Sequence, residues 1–174
     1  MEQTESFISF LEGLREDRGA LAALRRGLGQ PPGSVPDMYR YVVPWISPKM
    51  GALGEAARYI IAALFAYHPQ AGGEGNMGQH FARARDAQSD DTAIERRFTA
   101  LLAAHPDDLD VHLRQAIGFL KSKEIAVNWH RLLGDVLAWG NPDRRAQVKK
   151  EWARAFWSRQ IEKGENTKEA QGVH

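Results

Sequence analysis

Apolar residues return every three or four positions along most of this chain, in blocks separated by glycine, proline and acidic residues. That period marks amphipathic helices, and no block alternates with period two for long enough to require a strand. Phe7, Phe10, Leu11 and Leu14 share one face of a first predicted helix capped by Thr4. Leu21 and Leu24 continue the apolar side after a second cap at Asp17, and Gly27 and Gly29 stop it. QPPGSVP at 30–36 reads as a loop, after which Asp37 opens a short helix carrying Tyr39, Tyr41, Val42 and Val43. An alanine-rich helix follows Pro48 and Gly51, with Leu53, Ala57, Ile60, Ile61, Leu64 and Phe65 as its buried side. PQAGGEG at 69–75 predicts a flexible linker, and a brief helix covers Met77 to Arg85.

Polar residues Ser89–Asp91 predict a boundary near residue 90, between an N-terminal helical lobe (1–90) and a C-terminal basic bundle (91–160). Thr92 and Glu95 have the spacing of a capping box, and Ile94, Phe98, Leu101 and Leu102 form the core face behind it. Pro106, Asp107 and Asp108 open the next helix, with Leu109, Leu113, Ala116, Ile117 and Leu120 inward. Asn128 caps a third, which buries Trp129, Leu132, Leu133, Val136 and Leu137. The clearest signals lie in Trp139–Trp157. Asn141 is an N-cap, Pro142 suits the first helical position, and Asp143 places negative charge at the positive end of the helix dipole. Val148, Trp152, Ala155 and Phe156 then make one apolar face. Residues 161–174 show no period and are expected to be a disordered tail. The expected fold is all-α: a bundle of eight or nine helices in two small lobes, the second a four-helix bundle.

The 174 residues are 43% hydrophobic, enough for one domain or two lobes sharing a core. No apolar run is long enough to cross a bilayer, so no membrane association is expected, and the acidic, polar start MEQTESF predicts no secretory signal. The absence of cysteine excludes disulfides, zinc–thiolate sites and cysteine nucleophiles, and fits a cytoplasmic protein. The net charge of +1 is unevenly spread: −2 over residues 1–93, +4 over 94–159 and −1 over 160–174. A regional excess of this size suits a local patch for an anionic partner.

The residues for catalysis do not assemble. None of the six histidines falls in a metal-binding spacing with carboxylates such as HExxH. His105 and His112 flank Asp107, Asp108 and Asp110, but an acidic helix start accounts for those residues without a metal. There is no Walker lysine motif or nucleophile elbow, so no enzyme, metal or cofactor is expected. Cations remain. Arg114, Gly118 and Lys121 lie along one helix edge, where glycine leaves room for a phosphate backbone. Arg97 borders the apolar face of its helix and Arg96 points further out; Arg145 and Lys149 line one edge of the last helix. Arg58, alone in a long apolar run, either pairs with Glu55 or faces a partner, and Lys123, Arg131 and Arg144 complete the set. Trp129, Trp139, Trp152, Phe98 and Phe156 all fall on core faces, so nucleic acid would be held through phosphates, not bases.

The ordered set YRYVVPW (39–45), MGQHFARA (77–84), ERRFTALLAA (95–104), HLRQAIGFLKSK (112–123), VNWHRLLGDVLAW (127–139) and DRRAQVKKEWARAFW (143–157) resembles the CasB family. That family is the small subunit of the type I-E CRISPR surveillance complex, Cascade. The resemblance spans about residues 5–157 and implies an all-helical, non-catalytic subunit present in two copies. It implies neighbours in the crRNA-binding backbone subunits and the large subunit. It also implies a basic surface that holds the displaced DNA strand to stabilise the R-loop, with crRNA as a second candidate ligand. Arg96, Arg97, Arg114, Arg144 and Arg145 match cationic positions of the family, while Lys49 and Arg58 match only loosely. The alternative is a purely structural scaffold subunit whose cations touch no nucleic acid.

Overall fold

Helices form where the apolar period and a capping side chain coincide. The computed structural model describes the backbone of residues 2–86 and 88–169, and the side chains of 6–86 and 88–158. Among these residues there are nine α-helices: α1 Glu2–Gly13, α2 Arg18–Arg25, α3 Tyr39–Val42, α4 Ala52–Tyr67, α5 Met77–Arg83, α6 Asp91–Leu102, α7 Leu109–Ser122, α8 Trp129–Ala138 and α9 Pro142–Glu169. Short 3-10 turns occupy Pro36–Met38, Val43–Trp45 and Pro106–Asp108, and no strand occurs among the described residues. The all-α class is therefore as the sequence predicts.

The caps show the local chemistry. The Asp17 carboxylate accepts from the Ala20 N–H at 2.9 Å, Asn128 from the Arg131 N–H at 3.0 Å, and Asn141 from the N–H groups of Asp143 and Arg144 at 3.0 and 3.1 Å. Two expected caps move. The first helix begins at Glu2, ahead of Thr4. Asp90, not Thr92, caps α6, accepting from the Ala93 N–H at 3.1 Å. Thr92 therefore lies inside the first turn. A capping box forms instead at α5, where Asn76 and Gln79 satisfy each other's backbone N–H groups.

One hydrophobic core runs through both halves of the sequence. The second-half helices do not close on one another alone: α9 lies along α5, and α8 packs on α1 and α4. Gly78 makes the α5–α9 approach possible, because a Cβ there would stand 2.0 Å from the Trp152 carbonyl oxygen. Trp129, Trp139 and Trp152 are fully buried, with the last two rings 5.3 Å apart.

The expected flexible linker at 69–75 is pinned. The Gln70 carbonyl accepts from Trp129 Nε1–H at 3.0 Å and from the Val127 N–H at 3.3 Å. His68 Nε2 lies 2.7 Å from the Ile125 carbonyl. A Cβ on Gly73 would meet the Ala126 carbonyl oxygen at 2.4 Å, so this glycine seats the loop on the α7–α8 connection. The backbone of α9 continues to Glu169, whereas the side chains of the expected tail, 161–174, lie outside the described residues.

Candidate nucleic-acid interface

Helices α6 and α7 run against each other, and the outer ridge of α6 carries the cations predicted at ERRF. Arg96 and Arg97 are exposed, and no carboxylate among the described residues lies within 4.0 Å of either. Between the ridges opens a cleft of about 280 Å³, bounded by these arginines, His112 and Gln115. It exists because the facing positions are Ala100 and Ala116, whose methyl groups leave the space between the helices unfilled. Its aromatic wall is Phe119, half-buried, with the Arg97 guanidinium 5.5 Å from the ring centroid.

The other edge of α7 behaves differently. Arg114 is half-buried, and its guanidinium leaves no room for a Cβ on Gly29, a residue at φ +72°. Lys121 Nζ sits 4.3 Å from the Tyr67 ring centroid. A Cβ on Gly118 would stand 3.2 Å from the Tyr67 hydroxyl. The gap expected there for a phosphate backbone is thus occupied by the end of α4, and glycine serves close packing.

Cations of α8 and α9 divide again. Arg131 donates from Nε to Asp135 at 2.9 Å and from Nη2 to Glu151. Asp135 in turn accepts the Trp152 indole N–H at 2.7 Å. Burial raises the Asp135 pKa, while the Trp152 and Arg131 hydrogen bonds pull it down. Arg131 therefore uses its charge inside the fold. Arg145 donates to the Trp139 carbonyl at 3.1 Å, and Lys149 Nζ lies 5.4 Å from the Trp139 ring centroid. Partial burial lowers the Lys149 pKa, and Arg145 adds to the effect. Arg144 is exposed with no carboxylate within reach among the described residues.

Three remaining candidates lie apart. Lys49 is exposed in the loop before α4. Lys123 reaches Asp86 at 3.8 Å and Ser89 at 3.4 Å. Arg58 is only 4% exposed, donates to the Gly54 carbonyl at 3.0 Å and lies over Phe7, so it neither pairs with Glu55 nor reaches the surface. Burial lowers its pKa. The structure thus gathers Arg96 and Arg97 at one cleft and Arg144, Arg145 and Lys149 at the start of α9. It ties Arg131, Lys123 and Arg58 to internal partners.

Sequence reasoning missed Phe119. It shares a helical stripe with His112, Gln115 and Ala116, a signal masked by its position beside the inward Leu120. It also missed His80, which is 1% exposed. The Asn128 N–H donates to His80 Nε2 at 3.0 Å and the Arg83 guanidinium stands 3.0 Å from Nδ1. Both ring nitrogens face donors, and burial followed by Arg83 lowers the pKa to about 4.

Among the described residues, no group of three or more His, Asp or Glu side chains is placed to hold a metal ion, and no helix is long and apolar enough to cross a membrane. These features define a class: a small all-helical protein with partly open cationic edges. The profile of one family, CRISPR-associated protein Cse2, matches residues 20–157. A CRISPR-associated protein Cse2 from Thermus thermophilus is 33% identical over 98% of this chain and 99% of its own. The crystal structure of a Cse2-family protein from the same organism superposes with a TM-score of 0.76 at 31% identity, covering 89% of this chain and 97% of that one. A chain of a CRISPR RNA-guided surveillance complex superposes at 0.77 with 25% identity over 98% of both. The chain belongs to the Cse2 (CasB) family.

Proposed function

We propose that this chain is the non-catalytic small subunit of a type I-E CRISPR surveillance complex, and that it holds the displaced DNA strand through sequence-independent phosphate contacts. The reading is carried by one observation: the fold matches a chain of a CRISPR RNA-guided surveillance complex over 98% of both chains, while Arg96, Arg97 and Arg144 stand exposed without a carboxylate partner among the described residues. Replacing a DNA duplex with a guide–target heteroduplex is near balance, so a few backbone contacts shift the outcome. Linkage within a large assembly multiplies weak contacts, which is why a net charge of +1 suffices. The partners on this reading are the crRNA-binding backbone subunits, the large subunit, a second copy of this chain and the displaced strand, in the cytoplasm. The same phosphate chemistry would serve crRNA. The two halves divide at about residue 90 as structural neighbours on one core, with the cationic contacts in the second.

The scaffold reading, with no nucleic-acid contact, draws on Arg131, Lys123 and Arg58, whose charges are engaged internally. Replacing Arg96 and Arg144 together with alanine separates the two. Thermal unfolding should be unchanged and target binding by the assembled complex should weaken. The salt slope should flatten by about 0.7 for each single-strand phosphate that is no longer neutralised. Unaltered R-loop lifetime in that double variant would leave only the scaffold.

A further inference from the structure

Aromatic rings form a ladder from the core to the surface beside the α6–α7 cleft. Phe156 packs tilted against Phe98 with ring centroids 4.3 Å apart, Phe98 against Phe81 at 5.2 Å, and Phe81 against Phe119 at 5.4 Å. The first three rings are fully buried, and Phe119 is the half-buried outer rung. The buried Phe81 ring backs Phe119 from the core, which limits the ordering of the wall that a ligand stacking on it must bring about.

The chemistry around Phe119 is selective. Arg97 sits over the ring and Arg96 beside it, both without a carboxylate partner among the described residues, so the cleft favours an anionic ligand. Gln115 brings a paired donor and acceptor on one amide, and His112 adds a ring nitrogen. An aromatic face with a guanidinium plane, plus an amide, is the surface on which proteins stack and hydrogen-bond unpaired bases. At about 280 Å³ the cleft sits at the ~300 Å³ lower end of small-ligand sites, which suits one ring system.

We propose that the cleft between α6 and α7 is a nucleobase pocket. It receives a single unpaired base against Phe119 and Arg97, while Arg96 binds an adjoining phosphate. The proposal rests on the strand-holding reading and adds to it that one nucleotide is gripped through its base.

The test uses the full-length protein at low salt with two single strands: one entirely abasic, and one abasic except for a single 2-aminopurine. The base-bearing strand should bind about tenfold more tightly, the effect of one stacked base. Its emission should be quenched on binding. Phe119→Leu keeps apolar volume but removes the stacking face; it should abolish both differences and leave abasic-strand binding intact. Arg97→Gln, which does not touch the core, should reduce both if Phe119→Leu unfolds. Equal affinity for the two strands with no quenching would overturn the base pocket while sparing the phosphate reading. Binding of neither strand would overturn both. Loss of subunit co-purification in Phe119→Leu, with the base effect unchanged, would assign the cleft to a protein side chain and overturn the proposal.

Discussion

Arg131 and Arg96 are both cations on second-half helices, yet their surroundings are opposite. Arg131 meets two carboxylates, one of them buried and bonded to a core tryptophan. Arg96 meets none among the described residues and edges a cleft. The contrast teaches that positive charge on this protein does two separate jobs. At Arg131 it neutralises a buried acid that would otherwise be costly, and at Arg96, Arg97 and Arg144 it is left for something outside the chain.

Sharp tests follow from removing each kind. Asp135→Ala should cost about 3 kcal/mol in denaturant unfolding, because it strands the Trp152 indole N–H in the core and takes one of two acceptors from Arg131. A cost below about 1 kcal/mol would mean that Arg131 is not fold-bound.

Acidification is the next probe. His80 binds a proton with a pKa near 4 when folded and near 6.5 when unfolded, so the unfolded chain is the better proton acceptor between those values. Stability is intact above pH 6.5 and falls as the pH drops through 4, by about 3 kcal/mol over that window. His68, lowered first by burial, moves in the same direction. Unfolding midpoints measured at pH 7 and pH 4.5 read this loss, and His80→Gln should shrink it. An identical pH slope in that variant would assign the acid sensitivity elsewhere.

At the small end, Arg97→Ala should change unfolding stability by no more than about 0.5 kcal/mol, since it gives up only an exposed interaction with one ring. A larger loss would put Arg97 in the same class as Arg131 and erase the contrast.

Most helix positions were legible in the chain because caps and apolar period are local. Asp17, Asn128 and Asn141 act as read. Asp90 replaced Thr92 as a cap because both offer an oxygen acceptor and only three-dimensional geometry chooses between neighbours. The cationic candidates were legible as residue types but not as roles. Arg58 sits in an apolar run whether it faces the core or a partner, and Gly118 reads the same beside a phosphate or beside Tyr67. The loop at 69–75 looked mobile because its anchors, Ile125 and Val127, lie more than fifty residues away.

What the sequence by itself determined is the all-α class, the helical core residues and a positive second half, since each follows from period, local capping and charge along the chain. Tertiary packing decided which positive charges meet an acid beyond their own helix, as Arg131 meets Glu151, and which stand open. It also decided that Ala100 and Ala116 leave a cleft beside Phe119. Both depend on how helices pack against one another, as where Glu151 of α9 reaches Arg131 of α8, and there distance and burial set the electrostatic outcome.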